Sequence, residues 1–224
     1  MDTKSLKKRK QSIEKRLKDC GIDTVKIKEL SYLEFNPDVF ASPSDIAKRI
    51  LILYSVYFAS TNTDKLKKIK DWLKKVKLWK NVSDNEKKLF DGKIKDEELL
   101  DEYAWNLEKA YILAWALNLV TDLPLPTEQV TDKQFEDFMN NVPELGEENI
   151  NEFLTGQSLR NVEEIFDENV FNELITAYFR DLMVNKKENQ TEIDLNAAYE
   201  RHYALNWLRR FEGITDWDDT DTTT

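Results

Sequence analysis

Glycine and proline number only 5 each among 224 residues. That is too few for a β-meander, a glycine-rich phosphate loop, or a collagen-like or linker sequence. A single cysteine, Cys20, leaves no partner for an internal disulfide. With only one histidine, His202, the thiolate and imidazole spacings of zinc sites are excluded as well. Any metal would have to be held mainly by oxygen. No run approaches the roughly 18 apolar residues that cross a bilayer, and no apolar leader core follows Met1 to Lys10. The chain therefore reads as a protein of the cytoplasm, with no membrane partner.

What is present is enough to build a core: 41% of the residues are hydrophobic and 11% are aromatic. The formal net charge of -10 hides an asymmetry. Residues 1–100 hold 24 Lys and Arg against 16 Asp and Glu, a net of +8, which leaves 9 against 27 in residues 101–224, a net of -18. The basic half peaks between Lys65 and Lys80, but that run has no arginine and few interleaved aromatics, so it reads as a solvated lysine face. Nucleic acid is not the expected partner.

With few breakers and helical spacing of apolar residues, the expected fold class is all-α. The pattern predicts an irregular single-domain helical bundle around a central buried helix at about 96–120, with at most a minor extended segment near 25–33. Residues 1–20 form a basic N-terminal helix whose stop is Gly21, and 21–224 form one helical domain ending in an Asp/Thr tail. Ser42-Pro43-Ser44-Asp45 and Ser83-Asp84-Asn85-Glu86 are helix starts: each has a capping serine with an acid three residues on, and the first adds proline at the first helical position. A lysine-rich amphipathic helix follows Leu66, and a short helix surrounds Phe135 and Phe138. The stretch from Gly146 to Gly156 is the loop or lid candidate. Long helices are expected over Leu159 to Leu182 and Ile193 to Phe211.

Three charges fall where helical phase places apolar groups. Arg201 interrupts the stripe Ala197, Ala204, Leu208, Phe211. Glu163 lies within Leu159, Phe166, Val170, Leu174, and Glu108 lies among Trp105, Ile112 and Trp115. An unpaired buried charge costs several kcal/mol, so Arg201 is expected to pair with Glu163 or Glu108. The same residues, with His202, are the candidates for acid–base chemistry. Arg160, Arg201 and Trp207 are the candidates for ligand binding. A histidine among Tyr199, Tyr203 and Asn206 equally fits a hydrogen-bonded packing role.

Asp216-Trp217-Asp218-Asp219-Thr220 has the Asp-x-Asp-x-Thr spacing of aspartate-nucleophile phosphatases, but it follows a helix, where that motif needs a buried strand. The aspartates Asp216, Asp218, Asp219 and Asp221 could offer oxygen ligands to Mg²⁺ or Ca²⁺, although tail acids are ordinarily solvated and no metal site is expected. Trp217 gains by leaving water and should anchor the tail to the domain.

Several of these segments occur in an order that resembles one family. They are Ser44 to Arg49, Ser83 to Glu86, Trp105 with Glu108, Trp115-Ala116-Leu117, Leu159-Arg160 with Glu163-Glu164-Ile165, Arg201 to Leu208, and Asp216 to Thr222. From about Cys20 onward the chain is similar to the DUF4272 family, a bacterial domain of unknown function. The resemblance implies a mostly helical domain, no established activity and no catalytic residues to carry over. It also implies an acid, an arginine and a tryptophan in the helix after Glu164, where this sequence has Val170, Leu174 and Ala177.

Two functional expectations follow. One is a non-enzymatic interaction or regulatory protein whose acidic surface binds a basic protein partner, with no cofactor. The other is an enzyme or small-anion binder using a cleft near Arg201, His202, Glu108 and Glu163.

Overall fold

The computed structural model describes residues 2–222, and among these it contains ten α-helices, five short 3-10 segments and no strand. Helix α1 (Thr3–Asp19) starts at Asp2, whose carboxylate accepts the amides of Lys4 and Ser5, and stops before Gly21, where φ is +83°. Only glycine takes that left-handed conformation without a Cβ clash. Leu6, Ile13 and Leu17 are buried, while most of the intervening lysines stay in water. They form an apolar cluster with Phe166, Phe171 and Ile175 of α9 (Val162–Asn185).

The segment from Val25 has no strand partner. Its hydrogen bonds go to side chains of α1: Glu14 accepts the Ile27 amide and Lys10 donates to the Ile27 carbonyl, and a 3-10 turn follows at Leu30–Leu33. These side chains take the place of a ladder, which keeps the backbone polar groups paired without a sheet.

A second, larger core surrounds α2 (Pro43–Thr61) and α6 (Asn106–Ala116). Ser42 caps α2 through the Asp45 amide, with Pro43 in the first turn. From Ile46 to Val56 all but one residue is buried, because α6 lies on one side and α5 (Glu97–Ala104), α8 (Asn151–Thr155), α3 (Leu66–Lys75) and α4 (Asp84–Phe90) lie around the rest. Each fully enclosed aliphatic side chain contributes about 1.5–3 kcal/mol. α7 (Asp132–Met139) adds Phe138, in edge contact with Tyr54. α10 (Leu195–Leu208) then packs between α6 and α9 and joins the two cores.

The structure changes three sequence expectations. The helix expected at 96–120 is two helices, separated at Trp105 (ψ -9°), and only the second is buried; α5 has no buried residue and Leu99 is exposed. Asn106 turns its side-chain amide back to the Tyr103 carbonyl at the break. The end comes at Ala116, short of the expected 120, because Asn118 adopts a left-handed conformation (φ +59°). The proposed lid from Gly146 to Gly156 is pinned instead: Ile150 and Phe153 are buried, and Trp72 donates to the Glu147 carbonyl at 2.7 Å. Glu163, expected inside an apolar stripe, stands exposed in the first turn of α9, where it lies 3.4 Å from Arg9. The stripe is covered only from Ile165 and Phe166 onward.

Candidate functional site

α10 begins at Asp194, whose carboxylate accepts the Ala197 amide at 2.8 Å. Its small residues Ala197, Ala198 and Ala204 are fully buried and let α6 and α9 approach closely. Arg201 faces α6. Its Nε donates to Glu108 Oε1 at 2.7 Å and its Nη1 to the Pro124 carbonyl at 2.6 Å, while the other Glu108 oxygen accepts the Val130 amide at 3.0 Å. Arg201 is 2% exposed and Glu108 not at all. Burial raises the Glu108 carboxyl above its ordinary value, opposed by the charge and hydrogen bond of Arg201. The pair ties α10 to α6 and to both arms of the loop between α6 and α7.

One residue along each helix, Lys109 and Glu200 form a second pair at 2.5 Å, with the ammonium 5.2 Å from the centre of the Tyr203 ring. Burial likewise raises the Glu200 carboxyl, against the pull of Lys109. Glu108-Lys109 and Glu200-Arg201 are thus complementary dipeptides read across a helix interface. Lys109 and Glu200 were not paired from the sequence; their signal is the shared acid-then-base order of the two dipeptides, which pairs crosswise when the two helices run antiparallel.

His202 turns the other way, into α9. Its Nδ1 lies 3.1 Å from Asn169 Oδ1 and its Nε2 3.3 Å from Asn206 Nδ2, and Asn169 Nδ2 donates to Asn206 Oδ1 at 2.8 Å. An amide oxygen can only accept, so Nδ1 carries the proton and Nε2 accepts. Asn206 also donates to the Asp221 carbonyl, which holds the tail. Burial first, then the charges of Arg209 and Arg180, lower the His202 pKa to about 3, with Asp221 opposing. The ring is fully buried and hydrogen-bonded through both nitrogens. Glu168, Asn169, Asn172, Glu173 and Thr176 form the buried polar stripe of α9 opposite, another feature the sequence reading passed over although its helical spacing was visible.

The remaining candidates have structural partners too. Arg160 closes the end of α6: its amide donates to the Ala116 carbonyl, its Nε to Trp115 and its Nη2 to Val120. Trp207 donates to the Thr215 carbonyl at 3.2 Å and meets Trp217 edge-on at 5.3 Å. Trp217 is 7% exposed beneath Arg49, which lies 4.6 Å from its ring centre and itself pairs with Glu86 at 2.7 Å. The tail is therefore docked. Asp216 accepts the Asp218 amide, Asp218 accepts the Asn85 amide at the start of α4, and Asp219 is exposed. Among the described residues no three His, Cys, Asp or Glu side chains are grouped as metal ligands.

The four residues expected to share a cleft are thus divided. Arg201 and Glu108 belong together, His202 joins the asparagines of α9 and α10, and Glu163 lies beside Arg9. A cleft of about 580 Å³ does reach Arg201; Tyr111, Pro124 and Leu125 line it, and Asp122, Glu128, Glu136 and Asp137 border it with Lys133. A second cleft, of about 630 Å³, opens between Lys80, Arg210 and the docked tail.

Fold and site together define an all-α domain whose central charges, Glu108, Lys109, Glu200 and Arg201, pair across a helix interface. The model of the family described as Domain of unknown function (DUF4272) matches residues 9–220, and the chain belongs to that family. Neither a curated protein nor a solved structure matches it. No helix among the described residues is long and apolar enough to cross a membrane.

Proposed function

We propose that the protein is a non-enzymatic binding protein whose acidic face receives a basic segment of a partner protein. The observation that carries this reading is the balance of charge in the cleft at Arg201. Four carboxylates border it against one lysine, and the arginine at its wall already pairs with Glu108. A small anion would meet repulsion there. A lysine or arginine side chain would meet carboxylates around the apolar surface of Tyr111, Pro124 and Leu125, on which its methylene stem can lie.

The enclosure of His202 and the separation of Glu163 from Arg201 favour this reading over acid–base catalysis. The test is titration with a lysine- and arginine-rich peptide at low and at high salt. The expected result is saturable binding that weakens with salt and falls about tenfold or more in Asp122→Asn/Glu128→Gln/Glu136→Gln. Absence of binding at low salt, or affinity unchanged in the triple variant, overturns it.

A further inference from the structure

Arg209 ends α10 and differs from the other arginines of the interior. Arg9, Arg49 and Arg201 each reach a carboxylate at 2.5 to 2.7 Å. The Arg209 guanidinium instead lies between two rings, 4.8 Å from the centre of Phe166 and 5.0 Å from that of Phe211. No ion pair or hydrogen bond joins its side chain to another described residue. Glu173, the carboxylate that acts on it by charge, lies beyond ion-pair contact. Both ring centres lie within about 5 Å of the guanidinium carbon, and its N–H groups have no acceptor among the described residues. The residue is half-buried, and its N–H donors are open to an acceptor arriving from outside.

Arg209 borders a cleft of about 620 Å³ between α9 and the segment from Lys26 to Glu34. The wall is apolar: Ile27, Val170, Leu174 and Ala177. Lys26 and Lys28, both exposed, also border it, as do Tyr32, Glu29, Glu34 and the buried Glu173, so three cations face three carboxylates and Arg209 is the cation beside the apolar wall. The volume lies within the usual range for small-molecule sites, and an apolar wall with a few fixed polar groups is their usual lining.

We propose that this cleft binds a small carboxylate with an apolar body, its carboxylate on Arg209 and its body against Val170, Leu174 and Ala177. The planar fork of arginine matches a carboxylate with two parallel hydrogen bonds, and the two rings hold the fork in place beforehand. A bare inorganic anion would leave the apolar wall wet. A neutral apolar molecule would bury the guanidinium edge without a partner. A carboxylate with an alkyl or aryl body satisfies both surfaces at once. The site is separate from the acidic cleft at Arg201 and does not depend on the reading given for it.

The probe is octanoate, kept well below its micelle concentration, titrated into the full chain by calorimetry, with octanol as the uncharged counterpart. Saturable binding of one octanoate per chain is expected, with octanol at least ~10-fold weaker. Arg209→Gln should weaken octanoate ~10-fold or more, and Ala177→Trp should abolish its binding by filling the apolar wall with Arg209 intact. Circular dichroism and urea unfolding establish that both variants fold. Because each variant removes a different half of the site, loss of one to misfolding leaves the other as the test. The proposal is overturned by absence of saturable octanoate binding to the unsubstituted chain at millimolar concentration. Equal binding of octanol, or undiminished binding in a folded variant, overturns it too.

Discussion

Arg201 and Arg209 leave the same helix about two turns apart and meet opposite surroundings. Arg201 is sealed between α10 and α6, with a carboxylate at 2.7 Å and a backbone carbonyl completing its contacts. Arg209 lies beside two phenylalanine rings, and its donors have no acceptor among the described residues. The difference shows two ways to place a cation beneath a surface. A counter-charge makes the arginine part of the architecture, whereas aromatic rings give its N–H groups no acceptor and leave them with chemistry to offer. Arg201 is accordingly read as structure and Arg209 as a site.

The contrast breaks most readily at Glu108. Glu108→Ala leaves Arg201 buried without its carboxylate and should cost about 3–5 kcal/mol in urea unfolding, whereas Glu108→Leu/Arg201→Met should restore most of that loss. A cost no greater than that of removing Arg209 would undo the distinction.

Next in size is pH. His202 has a folded-state pKa of about 3 against an ordinary 6.5, so the unfolded chain accepts a proton that the folded one refuses. Its contribution to stability is complete above about pH 6.5 and is lost as pH falls toward 3, amounting to about 3 kcal/mol by pH 4. The difference between the pH profiles of the unsubstituted chain and His202→Gln should carry this slope. Parallel profiles would mean that His202 is not held neutral.

Trp217→Ala tests the far end of α10. Loss of the ring beneath Arg49 and beside Trp207 should cost about 2–3 kcal/mol. It should also speed amide exchange at Asn85, whose partner Asp218 leaves with the tail. Smallest of all, Arg209→Gln should change stability by about 1 kcal/mol or less, the worth of a cation–π contact near a surface.

Much of the frame was legible in the chain. Ser42 and Ser83 announced α2 and α4, since a capping serine followed by an acid at the third helical position is a local hydrogen-bonding device. Gly21 marked the end of α1 for an equally local reason. The Arg201–Glu108 pair was half legible. Periodicity marked both residues as buried, but it marked Glu163 as well, because phase along a helix does not say where the covering neighbours stop. The break at Trp105 and the left-handed Asn118 escaped notice, since an apolar run continues through both. Arg209 escaped for a different reason. It lies at the last turn of α10, and its surroundings come from Phe166, forty-three positions earlier, and from Phe211 across a chain reversal.

The sequence by itself determined the helical class, the positions of most helices and the need for charges inside the core. Those follow from interactions between residues a few positions apart, chiefly capping, glycine's freedom at positive φ and the 3.6-residue period. Only the tertiary structure decided which charge meets which. It closed Glu108 on Arg201, gave Glu163 to Arg9, turned His202 into a ring of asparagines and left Arg209 facing a cleft. Each outcome depends on the relative rotation and depth of helices distant in the chain, and the cost of burying a charge depends on those two quantities.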